Sequence, residues 1–295
     1  MTGSADGAMI TRFAPSPTGL LHLGHGYSAL CAHDLARKAD GRFLLRFEDI
    51  DTGRVRAEYY DAIIEDLHWL GIEWADEPLR QSDRFDVYQH ALETLKARDL
   101  VYPCFCTRKE IAAEIAVSAS APHGPDGPLY PGTCRGLSDT ERSKRLEAEP
   151  HAWRIDMAKA IAAMGSLYWT DAGKGDLQAT PEIHGDVVLA RKDVPTSYHL
   201  AVVVDDAAQG VTDVVRGMDL FAATHVHRLL QALLDLPVPH YHHHRLITDG
   251  EGKRLAKRDN ARSLAALREA GVSAHKVCAA LRANPPDIAA LETGR

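Results

Sequence analysis

Two short clusters, far apart in the chain, carry the residue types that chemistry on a nucleoside triphosphate needs. The first is His22-Leu23-Gly24-His25, which follows Pro15-Ser16-Pro17-Thr18-Gly19. It sits where a first strand turns into a first helix, the edge at which open α/β sheets bind ligands. A helix start offers unpaired N–H groups and the positive end of the helix dipole, both suited to phosphate. His22 and His25 are spaced to face the same phosphates, and Gly24 lets an adenine or ribose approach the backbone closely. Alone, the cluster reads equally well as an ordinary helix start. The second cluster is Lys253-Arg254-Leu255-Ala256-Lys257-Arg258, in a Gly-containing loop. Cations there would clamp a triphosphate and neutralise the charge of departing pyrophosphate. Alone, it reads as a solvated basic loop.

A third cluster is Cys104-Phe105-Cys106 with Tyr130-Pro131-Gly132-Thr133-Cys134. Thiolates are strong zinc ligands, and a closed structural site wants four donors. Three cysteines are at hand, with His123 and Tyr130 as candidates for the fourth position. Without a metal, the set would be three reduced structural thiols. The run His240-Tyr241-His242-His243-His244 suggests a metal too. Alternation along an extended strand would split its imidazoles between two faces, so a strand with His242 and His244 on one side is expected.

The elements that must position these groups alternate. Ile10–Ala14 reads as a strand, 24–38 as a helix with Leu30, Ala32, Leu35 and Ala36 on its apolar face, and Phe43–Phe47 as the next strand. Amphipathic helices follow around 57–70 and 83–98. Strand–helix alternation predicts a parallel sheet with crossover helices. The pattern stops over residues 104–185, rich in Pro, Gly, Ala and Ser, which read as an insertion. Strand signals resume at Val187–Ala190, His199–Val204 and Val211–Val215, a helix at 223–234 follows, and Tyr241–Ile247 is strand-like. A helical tail runs over 263–283.

Together the motifs resemble the class I aminoacyl-tRNA synthetases, whose signatures are His-Ile-Gly-His and Lys-Met-Ser-Lys-Ser. Here they stand as His22-Leu23-Gly24-His25 and Arg254-Leu255-Ala256-Lys257-Arg258. The second keeps its inner lysine and loses both serines, and with them a loop-to-phosphate hydrogen bond. Arg12-Phe13-Ala14-Pro15-Ser16-Pro17-Thr18-Gly19 and Leu45-Arg46-Phe47-Glu48-Asp49-Ile50-Asp51 are similar to the glutamyl and glutaminyl branch. The resemblance implies an α/β fold: a Rossmann-like doubly wound parallel sheet with an inserted zinc-containing module and a short helical C-terminal region. The expected division is 9–103 and 186–238 for the two halves of the catalytic domain, 104–185 for the insertion and 239–295 for the signature loop and helical end. It also implies roles. Arg12 and Arg216 would hold carboxylates, Glu48 the α-ammonium, and Tyr198, Phe13, Ala14, Pro15 and Ser16 would line the glutamate pocket. His22, Gly24, His25 and Lys257 would hold ATP, escorted by Mg²⁺, with His22, His25 and Lys257 stabilising the transition state. An arginine fork suits a carboxylate, and a carboxylate suits an ammonium.

Tyr-x-x-x-Cys after Cys-x-Cys is similar to the glutamyl-queuosine tRNA(Asp) synthetases, in which the tyrosine is a zinc ligand. By that likeness one structural Zn²⁺ would sit on Cys104, Cys106, Tyr130 and Cys134. The family forms glutamyl-AMP from ATP and L-glutamate without tRNA, then esterifies queuosine in the anticodon of tRNA(Asp). The sequence runs about forty residues past Lys257, and by this likeness it is expected to be the paralogue that lacks the anticodon-reading domain of a full glutamyl-tRNA synthetase. Two other readings are a truncated glutamyl-tRNA synthetase charging the 3′ end of tRNA(Glu), and an inactive synthetase-like module that binds RNA or protein.

Composition bounds these readings. The 295 residues are 45% hydrophobic and 25% charged, an ordinary globular balance. A net charge of −7 is the opposite of a globally basic nucleic-acid binder, so any RNA contact must be a local patch. No stretch is apolar enough to span a membrane, and no signal peptide opens the chain. Five cysteines, an odd number, suit a reducing cytoplasm.

Overall fold

The computed structural model describes residues 8–117, 123–125, 127–247, 263–284, 286–288 and 291. The first half alternates as its sequence pattern requires: β1 (Ile10–Phe13), α1 (Leu23–Lys38), β2 (Arg42–Phe47), α2 (Ala57–Trp69), β3 (Ala75–Arg80) and α3 (Phe85–Ala97). β1, β2 and β3 pair in parallel, with Arg12 opposite Leu44. β2 is buried along nearly its whole length, as a central parallel strand covered on both faces must be. α1 buries Leu23, Gly26, Ala29, Leu30, Ala32 and Ala36 against that sheet.

The middle of the chain is more broken: β4 (Val101–Cys104), α4 (Arg108–Val117), β5 (His123–Gly124), β6 (Gly127–Pro128), α5 (Asp139–Ala148), β7 (Ala152–Ile155), α6 (Met157–Met164), β8 (Tyr168–Asp171) and β9 (Gly175–Gln178). Then come β10 (Val188–Ala190), α7 (Tyr198–Ala208), β11 (Asp213–Gly217), α8 (Ala223–Leu233), β12 (His240–His244), α9 (Leu264–Glu269) and α10 (Ala274–Arg282). β7 is sandwiched antiparallel between β4 and β10. β11, β12 and β8 pair in parallel. β11 lies beside β1, where the Thr212 N–H donates to the Ile10 carbonyl at 3.0 Å. β8 falls inside the span read as an insertion, 104–185, yet it extends the main parallel sheet.

One expected strand is a helix. His199–Val204 lies within α7, and Leu200, Ala201, Val202, Val203 and Val204 are all buried. A short apolar, β-branched run has no period to separate a buried strand from a buried helix. Packing decides: α7 lies between α3 and α8, sharing a core with Tyr88, Leu92, Leu229 and Leu230. The helical turn also aims Asp205 and Asp206 inward, which an extended strand would have sent to opposite faces. The helix expected from residue 83 starts instead as a 3₁₀ turn, Gln81–Arg84, ahead of α3. Among the described residues no helix is long and apolar enough to cross a membrane.

Candidate active site

A cavity of about 560 Å³ opens at the carboxyl edge of the parallel sheet. Its wall includes Arg12, Phe13, Ala14, Pro15, Ser16, His22, Gly24, His25, Glu48, Tyr198 and Arg216. Apart from Lys257, every residue assigned to glutamate or ATP from the sequence therefore lies on one cavity. Lys257 and the whole basic cluster lie outside the described residues. The chain on either side of that cluster converges on the cavity: Ile247 lines it, and Ser263 makes a bridge to His22.

At one end, His22 caps α1. Its Nδ1 accepts the Gly24 N–H at 3.1 Å, while His25 Nδ1 accepts the His22 N–H at 3.2 Å. This is a capping box with imidazoles in place of the usual Ser and Glu. Each Nδ1 is an acceptor, so each neutral ring carries its proton on Nε2. The rings stack with centroids 3.7 Å apart. A Cβ on Gly24 would come within 2.9 Å of the His22 ring. Gly24 is thus needed first by the cap, and its freedom to admit a nucleoside is secondary.

At the other end lies a cluster of buried charge. Arg12, 4% exposed, donates from Nε and Nη2 to the two oxygens of Asp206 at 2.9 and 3.2 Å. Arg46, wholly buried, donates from Nη1 to Asp206 at 2.7 Å and from Nη2 to Glu48 at 3.4 Å. Burial would raise the Asp206 carboxyl, but the two guanidiniums hold it below the usual carboxylate range. Burial dominates at Glu48 and lifts it, with Arg46 and Arg12 opposing. Glu48 Oε2 has no hydrogen bond among the described residues.

Arg216 is built differently. Its donors go to His243 Nε2 (3.1 Å), Tyr198 Oη (3.2 Å), His227 Nδ1 (3.1 Å) and Thr224 Oγ1 (2.6 Å). Among the described residues no carboxylate pairs with it. Sequence reasoning missed Asp206, Arg46, His243 and Asp171 as parts of this site. Arg46 and Asp206 do carry a signal, since charges inside the apolar runs of β2 and α7 are buried and so must be paired.

The cysteine cluster closes as its types suggested. The Sγ atoms of Cys104, Cys106 and Cys134 lie within 4.8 Å of one another. Tyr130 Oη sits 3.4 Å from Cys104 Sγ and 3.6 Å from Cys106 Sγ, and Cys106 and Cys134 are 3.5 Å apart. A tetrahedron with Zn–S near ~2.3 Å and Zn–O near ~2.0 Å has edges of about 3.5–3.8 Å. The four donors fit a zinc ion. Burial lifts the Cys106 thiol to about 11 and raises the Tyr130 phenol further, the reluctance to ionise that a divalent cation reverses. The side chain of His123, the other candidate donor, lies outside what the structure describes. Among the described residues this is the one group of histidine, cysteine and acidic side chains with metal-ligand spacing. The β12 histidines are engaged otherwise: His242 with Asp213, His243 with Asp171 and Arg216.

A second cavity, about 980 Å³, shares the Tyr198 wall with the first. Cys106, Tyr130, Arg108, Arg154, Arg191 and Lys192 line it, joining the zinc-type cluster to the catalytic core.

With this geometry in hand, residues 8–284 match the family described as tRNA synthetases class I (E and Q), catalytic domain. The chain belongs to this family. It is 54% identical over 271 residues to a glutamyl-Q tRNA(Asp) synthetase of Rhodobacter capsulatus, covering 90% of this chain and 96% of that one. A protein of the same name from Deinococcus radiodurans is 47% identical, with 92% and 86% covered. A solved glutamate–tRNA synthetase of Elizabethkingia anophelis superposes with a TM-score of 0.74 at 30% identity, over 86% of this chain and 53% of that one. The fold is that of a class I synthetase catalytic domain, and the protein is a ligase of that class.

Proposed function

We propose that the chain activates L-glutamate with ATP, without tRNA, and then transfers the glutamyl group to queuosine in the anticodon of tRNA(Asp). The observation that carries the first step is a single cavity with two kinds of end. One end has the α1 N-terminus and two imidazoles protonated on Nε2, suited to phosphate oxygens. Among the described residues, the other has Arg216 with no carboxylate partner, Glu48 with one oxygen not hydrogen-bonded, and the Tyr198 hydroxyl. In this reading the glutamate α-carboxylate attacks the α-phosphorus of ATP and pyrophosphate leaves. His22, His25 and Lys257 meet the charge that develops, and Mg²⁺ escorts the ATP. Arg12 and Arg216 face the carboxylates, Glu48 takes the ammonium, and Phe13 to Ser16 form the floor. Positioning and charge stabilisation suffice, and no protein nucleophile is required.

Two things support the acceptor. One is the likeness to the Rhodobacter and Deinococcus proteins named for glutamyl-Q tRNA(Asp). The other is the second cavity next to the glutamate pocket, where Arg108, Arg154, Arg191 and Lys192 outnumber the acids Asp186 and Asp193 and give a locally basic wall in a chain of net charge −7. Zn²⁺ on Cys104, Cys106, Tyr130 and Cys134 would brace one wall of that cavity as a closed structural site.

ATP–pyrophosphate exchange dependent on glutamate and not on tRNA tests the first step. For the second, labelled glutamate is incubated with queuosine-containing tRNA(Asp), the tRNA is cut, and the label is located. Label on the anticodon fragment, and none on tRNA lacking queuosine, is expected. Label on the 3′ fragment of tRNA(Glu) would replace this acceptor with an ordinary one.

A further inference from the structure

Arg216 lines the glutamate cavity, is 5% exposed, and gives four of its five N–H groups to neutral acceptors. Two of those acceptors are imidazoles, and accepting from a guanidinium is possible only for an unprotonated ring nitrogen. The tautomer of His243 is therefore decided by its other nitrogen. His243 Nδ1 lies 2.7 Å from Asp171 Oδ2, with both side chains closed off from solvent at 0% and 1% exposure. Asp171 is itself fixed, because Oδ1 accepts the Gly173 N–H at 2.9 Å and Oδ2 also accepts the His243 N–H at 3.3 Å. Asp171, His243 and Arg216 thus form a chain running from the end of β8, across β12, to β11.

The contrast with Arg12 shows what this chain achieves. Arg12 is held by a carboxylate, Asp206, within a cluster where Asp206 and Glu48 offset Arg12 and Arg46. Arg216 is held as firmly by a ring that orients the guanidinium plane and leaves its charge intact. We propose that His243 and Asp171 are positioning residues for substrate recognition: Asp171 fixes His243 as the Nδ1–H tautomer, and His243 accepts Arg216 Nε–H, presenting an unneutralised guanidinium to a substrate carboxylate. This rests on the glutamate reading above for the identity of the carboxylate, and on the geometry alone for the tautomer. The remaining Nη2–H and the Tyr198 hydroxyl, which accepts from Nη1 and keeps its own proton to give, are the donors such a carboxylate would meet. Burial and the Arg216 charge together push the His243 imidazole down to about 4, against the pull of Asp171, so the ring stays neutral at physiological pH.

In Asp171→Asn, the single amide oxygen cannot face both Gly173 N–H and the two His243 donors. Whichever way it turns, an NH₂ meets a donor. If the NH₂ turns toward His243, Nδ1 must accept from it, and the ring moves its proton to Nε2, against the Arg216 Nε–H. In His243→Leu the acceptor is lost. In His243→Gln an amide oxygen replaces it.

Two measurements on the full chain test this. The first is ¹⁵N–¹H correlation of labelled histidine side chains, with His243 assigned by its loss in His243→Gln. The expected result at pH 7 is a neutral ring protonated on Nδ1, and a shift toward Nε2–H in Asp171→Asn. A wild-type imidazolium or Nε2–H ring overturns the proposal, whatever the enzyme's substrate. The second is ATP–pyrophosphate exchange. His243→Leu should raise KM for glutamate about 10–100-fold, the cost of a lost hydrogen bond to a charged group, with KM for ATP unchanged. His243→Gln should recover most of that loss. KM values for both substrates rising together, or no recovery in the glutamine variant, would overturn the positioning role. Wild-type exchange that ignores glutamate would sink the glutamate reading while leaving the tautomer result standing.

Discussion

Replacing Asp206 by Asn should destabilise the protein by about 3–5 kcal/mol, the cost of removing one partner from a buried ion pair. Asp206 is 6% exposed and is bonded by both Arg12 and Arg46, at 2.7 to 3.2 Å. A unit charge about 4 Å from each guanidinium centre is worth roughly 4 kcal/mol per arginine at an effective dielectric near 20, before desolvation is subtracted. Asn keeps the volume and one acceptor oxygen, but its NH₂ would face an Arg12 or Arg46 donor. Glu48, bonded to Arg46 at 3.4 Å and lifted by burial, would then be the acid in contact with the two arginines, with Asp205 acting on Arg46 from further off. The assay is urea unfolding followed by circular dichroism, comparing midpoints at equal slope. A pH series sharpens it. Asp206 is held below its unfolded value near ~4, so its contribution is complete above that pH and is lost as pH falls through the lower folded value. The wild type should therefore lose stability below about pH 4 more steeply than the Asn variant. A loss under about 1 kcal/mol with parallel pH curves would mean that Asp206 is not the counter-charge of Arg12 and Arg46.

Three further outcomes follow from the site. Tyr130→Phe should lower the bound zinc, measured by elemental analysis, because it removes the donor 3.4 and 3.6 Å from Cys104 and Cys106; undiminished zinc would hand the fourth position to another ligand. Gly24→Ala should displace His22 from its cap, since the new Cβ would stand 2.9 Å from the ring. A stability loss of roughly 0.5–2 kcal/mol by thermal unfolding, with slower adenylate formation, is expected, and unchanged turnover would show that the cap geometry does not matter to the chemistry. Lys257→Ala should cut the exchange rate by about a hundredfold with KM for glutamate within about twofold, as befits a charge that acts on leaving pyrophosphate; a change confined to KM would remove that assignment.

The sequence was most informative where local chemistry and position coincide. The Pro-rich turn before His22 breaks a strand, so the end of β1 and a helix beginning near residue 24 were legible, but not that His22 is the cap of α1. The three cysteines were legible because few side-chain types ligate metal, while the fourth position stayed open between His123 and Tyr130 until the family resemblance pointed to Tyr130. Legibility failed at α7, where Val202-Val203-Val204 has strand-forming residues but no period, and its neighbours α3 and α8 decided. It failed again for the partners of the arginines. Asp206 lies 194 residues from Arg12, and Asp171 lies 72 residues from His243. Such pairs are set by which strand lies beside which, and no local pattern encodes that. The histidine run was read as a strand with alternating faces, and β12 is that strand. What alternation could not give is that the inward face carries His243 into the substrate cavity's support.

The charge balance of the pocket gives a reason for its arrangement. Arg12 and Arg46 are matched by Asp206 and Glu48, so that cluster is neutral before any ligand enters. Among the described residues, the groups that Arg216 bonds directly are all neutral, and the nearest carboxylate in that chain, Asp171, stands behind His243. Glutamate at neutral pH carries two carboxylates and one ammonium, a net charge of minus one. In the proposed complex its ammonium meets Glu48 and a carboxylate meets Arg216 directly, whereas Asp171 reaches Arg216 only through the neutral His243 ring. Glutamine carries the same ammonium and α-carboxylate but no excess charge, and would leave the buried Arg216 guanidinium without a carboxylate in direct contact. A buried ion without a partner costs several kcal/mol, more than the difference in shape between a carboxylate and an amide. Selectivity in this pocket would then come less from a contact that glutamine lacks than from a charge it leaves behind. That requires Arg216 to be held rigidly by groups that do not neutralise it, which is what a neutral imidazole anchored on Asp171 provides.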